Sequence, residues 1–238
     1  LNLEAGGLDV SEWQNLVDRI RAAKETVKIG VVGKYIDLQD SYKSVYEALN
    51  AGSYFHNVRL EVERIDSEEL ERDGPGMLEK VDGLLIPGGF GARGVEGKIM
   101  AAKYARENGV PYFGICLGMQ VGMIEFARNV VGLEDANSRE FDDKAPHLVV
   151  DLMLDQKAVL DLGGTMRLGT YPMKIKPDTN AAGVYGMLDV SERHRHRYEV
   201  NNNYRARLEE MGMEVSGVFE ETNLVEMIEL REHPWFVG

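Results

Sequence analysis

A chain of 238 residues with 44% apolar content can bury one sizeable core. Its net charge of -13, with acidic residues scattered along the chain, argues against nonspecific binding to nucleic acid or anionic lipid. The single cysteine, Cys116, excludes an intrachain disulfide and fits a reducing cytoplasm, and no apolar run approaches the roughly 18 residues of a membrane helix.

Residue 1 is Leu rather than Met and no signal-peptide pattern opens the chain, so the sequence is expected to begin inside a longer polypeptide. Residues 1 to about 26 are largely polar and Gly-containing, with one short amphipathic run, Trp13, Leu16, Val17 and Ile20, which reads as an interdomain linker helix docked on the surface. From Val27 the pattern changes. Val27 to Val32 is a short apolar run closed by Gly33, which suits a buried strand. Asp40-Ser41 offers a helix N-cap ahead of Tyr42, Val45, Tyr46 and Leu49 at helical spacing. Val58 to Ile65 alternates apolar and polar like a half-exposed strand, and Ser67 to Asp73 reads as a solvated helix face.

Gly83 to Ile86 predicts a buried strand ending in Pro87-Gly88-Gly89, and a helix runs from about Val95 to Glu107 with Asn108-Gly109 as its stop. Pro111 to Ile115 is another strand, followed at once by a helix over Leu117 to Arg128. Alternating strands and helices imply an α/β fold, flavodoxin-like, with a mostly parallel sheet and helices on both faces. Further on, Leu148–Leu154, Val215–Phe219 and Leu224–Leu230 read as strands, with one helix near Tyr204 to Met211. Fewer helices intervene there, so that part of the sheet is expected to be mixed.

The chemistry centres on Gly114-Ile115-Cys116-Leu117-Gly118. This is the spacing of a nucleophile elbow, G-x-nucleophile-x-G, with Cys as the nucleophile. Glycines on either side permit a strained turn and close strand-to-helix packing. The following helix N-terminus is expected to lower the thiol pKa, and the Leu117 amide to face an oxygen developing negative charge. A second Gly-rich turn, Pro87 to Gly94, also lies between a strand and a helix and could offer bare amides to the same oxygen.

The two turns, Pro87-Gly88-Gly89-Phe90-Gly91 and Gly114 to Gln120, resemble the class-I glutamine amidotransferases. Further segments resemble the glutaminase domain of the CTP synthase family: Gly33-Lys34-Tyr35-Ile36, Tyr42 to Val45, Gly91 to Gly97, Leu162 to Gly169 and Glu192 to Asn201. The resemblance runs from about Lys28 to the end of the chain. It implies that Cys116 attacks the side-chain amide of L-glutamine and that Gly89 and Leu117 supply the oxyanion amides. Gln120, Glu140 and Arg197 would hold the amino-acid end, the acid meeting the ammonium and the cation the carboxylate.

It also implies a lid at Gly163 to Gly169 linked to activation by GTP. No metal or cofactor is implied in this domain; ATP, UTP and Mg belong to an N-terminal synthetase domain that aminates UTP, the whole enzyme being a cytoplasmic homotetramer. The family's catalytic His and Glu lie in a Phe-His-Pro-Glu stretch shortly after a segment like Glu232 to Gly238. The domain over 27–238 is therefore expected to stop short of them, and no residue here receives either role. His233-Pro234 is followed by Trp235, where that motif has Glu.

Other readings carry less. Gly30 to Tyr35 lacks the spacing and the Ser or Thr of a P-loop. His194 and His196 alternate without the further ligands a zinc site needs. The strip Arg193 to Arg197 has no aromatic support for binding nucleic acid. A γ-glutamyl peptidase on the same scaffold would have no use for that strip or the lid, and a non-catalytic regulatory domain would leave Cys116 idle.

Overall fold

The computed structural model describes residues 7–152 and 166–238. The β-branched run from Val27 to Val32 extends into β1 (Thr26–Gly33), whose last four residues are buried. It lies between two parallel neighbours, β2 (Arg59–Asp66) and β3 (Gly83–Ile86). β2 is an edge strand, which is why it alternates exposed polar with half-buried apolar side chains. β3 is buried throughout, and β4 (Tyr112–Gly114) continues the parallel pairing beyond it.

Before the sheet, α1 (Ser11–Ala22) has no buried residue, and Trp13 is 71% exposed. The N-cap predicted at Asp40-Ser41 does not form. Gln39–Tyr42 is a 3-10 turn in which the Ser41 amide bonds the Leu38 carbonyl, and α2 (Lys43–His56) follows without a side-chain cap. The solvated helix is α3 (Ser67–Asp73). Asp66 caps it by accepting the Glu68 and Glu69 amides at 2.7 and 3.2 Å, while Ser67 and Leu70 turn inward. α4 (Val95–Asn108) ends on Gly109 at φ 65°, the left-handed stop that Asn108-Gly109 predicted. α5 (Leu117–Asn129) starts directly after Cys116.

Beyond α5, β5 (Ala136–Ser138), β6 (His147–Leu152) and β9 (Tyr198–Val200) make a small second sheet. The strand expected over Leu148–Leu154 is β6, and its last two positions fall outside the described residues. β7 (Arg167–Ile175) and β8 (Asp189–His196) pair antiparallel, with α6 (Asn180–Tyr185) between them. After α7 (Asn202–Glu210) come β10 (Met213–Phe219), β11 (Leu224–Leu230) and β12 (Phe236–Val237). Among the described residues the main sheet orders its nine strands β2-β1-β3-β4-β12-β11-β10-β7-β8. It is parallel from β2 to β12 and antiparallel from there on, the partly mixed α/β sheet that the sequence suggested.

β5, β7, β8, β9, β12 and α6 escaped the sequence reading. β8 is an edge strand rich in Arg and His and shows no apolar alternation, while β5, β9 and β12 span only two or three residues. β12 matters to the nucleophile turn because it braces β4. Tyr112 stacks on Phe236 at 4.2 Å and donates its amide to Trp235 at 2.8 Å. A Cβ on Gly122 would come within 3.2 Å of the Phe236 ring, so glycine there lets α5 lie on this stack. Among the described residues no helix is long and apolar enough to cross a membrane.

Candidate active site

Cys116 joins β4 to α5 with φ 55° and ψ −104°, a strained conformation for a residue bearing a side chain. Its neighbours explain how the chain tolerates it. A Cβ on Gly118 would sit 2.2 Å from the Ile86 carbonyl oxygen, and one on Gly114 would sit 2.6 Å from the Gly118 carbonyl carbon. Only glycine fits either place. The Ile115 amide bonds Ile86 at 2.9 Å, and the Tyr112 hydroxyl donates to the Gly118 carbonyl at 2.7 Å. The turn is thus sewn to β3 by main-chain contacts, and the predicted elbow is present.

The thiol differs from expectation. Burial raises its pKa, and the carboxylates of Glu140 and Glu199 push the same way, against the Leu117 amide that bonds the sulfur. The helix N-terminus acts as predicted but is outweighed, because two negative charges and a low-polarity setting both disfavour thiolate.

The Gly-rich turn lies against the elbow. A Cβ on Gly88 would be 3.5 Å from the Cys116 Cβ, and one on Gly89 would be 3.1 Å from the Leu117 side chain. Two straps hold the turn. The Lys34 ammonium donates to the Phe90 carbonyl, and Glu140 Oε1 accepts the Gly91 amide at 2.6 Å.

Between them lies a cavity of about 260 Å³ lined by Gly89, Phe90, Cys116, Gln120, Glu140, Met166, His196, Arg197 and Tyr198. Five of the six predicted site residues therefore converge on one space. The sixth, Leu117, keeps its side chain buried behind the wall and contributes only its amide. Gln120 donates from Nε2 to the Tyr198 carbonyl at 3.3 Å, whereas its buried Oε1 has no hydrogen-bond partner, an acceptor turned to no protein donor. The sequence reading missed Phe90, Met166, His196 and Tyr198 as lining residues, although each adjoins a motif residue it had singled out. The first part of the lid segment, Gly163 to Thr165, lies outside the described residues.

Beside the cavity a set of buried charges stands where His194, His196 and the arginines could have suggested a metal site or a nucleic-acid strip. Among the described residues no group of three or more His, Cys, Asp or Glu could hold a metal ion. His196 Nε2 lies 2.9 Å from Glu199 Oε1, which also accepts from Arg167 at 3.0 Å. Burial, then Arg167 and His196, lower the His194 pKa to about 4, and burial raises that of Glu226.

The description "Glutamine amidotransferase class-I" is that of the family model matching residues 37–238. A CTP synthase of Carboxydothermus hydrogenoformans is 55% identical over 239 residues, and one of Listeria monocytogenes is 52% identical over 239 residues. Each match takes in all of this chain, including the first 26 residues, but 45% of the relative, so the chain spans about half the length of the curated relatives it matches. A solved Trypanosoma brucei structure, "CTPS - glutaminase domain with bound acivicin", superposes with a TM-score of 0.83 at 41% identity. It covers 89% of this chain and 83% of that one.

Proposed function

The chain belongs to the class-I glutamine amidotransferase family, in its branch of CTP synthase glutaminase domains, and on that premise we propose that Cys116 attacks the side-chain amide of L-glutamine. The observation that carries this reading is the strained Cys116 opening on a small cavity beside Gly89, Gln120, Glu140 and Arg197. Sulfur adds to the amide carbon, and the oxygen takes the negative charge. Amides of Gly89 and Leu117 receive it, a donor of that kind contributing about 2.7–4 kcal/mol. Ammonia leaves with a proton from a general acid, and water then cleaves the thioester to glutamate.

The raised thiol needs a base to take its proton, and the resemblance supplies one as a His oriented by a Glu. Glu140 would receive the substrate's ammonium, Arg197 its carboxylate, and the unmatched Oε1 of Gln120 a further substrate N–H. In the full enzyme the ammonia would pass to a synthetase domain using ATP, UTP and Mg. GTP activation, a homotetramer and a cytoplasmic location complete the proposal.

A chloroketone analogue of glutamine tests it, applied to the full-length protein. One adduct at Cys116, with glutamine protecting, is the expected result. No adduct would favour the non-catalytic reading, in which Cys116 is idle.

A further inference from the structure

Arg197 is a joint between two sheets. β8 ends at His196 in the nine-stranded sheet and β9 begins at Tyr198 in the three-stranded one. The ladders stop on either side of it, with Arg167 opposite His196 in one and Leu152 opposite Tyr198 in the other. No single sheet therefore dictates where this joint points, although both Arg197 and Tyr198 line the cavity.

Side chains tie the two ladders together instead. The contact between His196 and Glu199 at 2.9 Å closes a loop across Arg197 and Tyr198. Arg167, donating to the same Glu199 oxygen at 3.0 Å, brings its other terminal nitrogen to 2.8 Å from Glu226 Oε1. Glu226 stands on β11 inside the main sheet with 3% of its side chain exposed, and its Oε2 lies 3.4 Å from His194 Nδ1. The rings of Tyr171 and Phe219 face the Arg167 guanidinium at 4.3 and 5.3 Å. A buried ion cluster is a weak source of stability, since apolar residues of equal volume serve as well. What it adds here is direction: the planar Arg167 guanidinium donates to Glu199, faces both rings and lies against Glu226 as an ion pair, Nη2 and Oε1 making no hydrogen bond with each other.

We propose that Glu226 is a positioning residue for substrate binding: through Arg167 and Glu199 it locks the Arg197 joint to the main sheet, setting that guanidinium for the substrate's carboxylate. This rests on the substrate reading above. Glu226 touches no substrate, so its effect must appear in binding rather than in the chemistry at sulfur.

The test uses full-length Glu226→Gln, read by melting, by glutamine half-saturation of ammonia release, and by Cys116 alkylation with iodoacetamide. Half-saturating glutamine should rise about tenfold or more, the scale on which misplaced binding groups act, with kcat and alkylation changing far less. Glu226→Asp, which keeps the charge, should recover part of the loss. Should Glu226→Gln melt too early to assay, the Arg167→Met/Glu226→Leu pair removes both charges together and should show the same rise in a stable fold. Unchanged half-saturation in a folded variant, with Arg197→Ala still weakening glutamine, overturns the proposal alone. Unchanged half-saturation in Arg197→Ala overturns the substrate reading, and this proposal with it.

Discussion

The Cys116 elbow and the Arg197 joint each aim one side chain into the same cavity, but they are built from different materials. At the elbow, glycines let main chain press on main chain, and the strain at Cys116 is held by hydrogen bonds to β3 and by the Tyr112 hydroxyl. At the joint the main-chain ladders give out, and five ionisable side chains, buried or half-buried, do the holding. Backbone geometry depends on atoms every residue has, so below the alkaline range in which the thiol titrates the elbow should answer to volume and not to pH. Charges depend on protonation, so the joint should answer to pH.

The largest effect should come from adding volume at the elbow. Gly118→Ala puts a methyl group 2.2 Å from a backbone oxygen that cannot swing away. It should cost roughly 3 kcal/mol or more, lowering the melting midpoint by roughly 6–12 °C in a chain of this size. A midpoint within a degree or two of the parent would show that the elbow yields.

A smaller effect should come from acid at the joint. The unfolded chain takes a proton at His194 near the ordinary value of 6.5, while the folded chain resists until about 4. A histidine with a lowered folded pKa makes its full contribution above about 6.5, and that contribution fades as pH falls through this window. The loss between pH 7 and 5 should be about 1–2 kcal/mol, discounted for the partial exposure of the ring. Denaturant titrations should show His194→Gln losing less over that range, even though the raised pKa of Glu226 works in the opposite direction. Equal losses would remove His194 as the source.

Smallest is the strain itself. Cys116→Gly and Cys116→Ala both lose the thiol, but only glycine accepts φ 55° freely. The glycine variant should be the more stable of the two by about 1 kcal/mol, despite its greater unfolded entropy. The reverse order would mean that the turn is relaxed.

These differences track what could be read from the chain alone. The elbow was legible because its requirement is local. Gly114, Cys116 and Gly118 lie within five residues, and a strand that turns sharply into a helix leaves that spacing behind. β1 and β3 were legible for the same reason, since burial on both faces writes a continuous apolar run. Tertiary structure alone decided that burial and two carboxylates outweigh the helix N-terminus at the sulfur. It alone brought Glu226 to Arg167 across 59 positions of chain, and made neighbours of β12 and β4, whose pairing props up the nucleophile. Electrostatics and long-range pairing act through space, and a sequence lists its residues only along the chain.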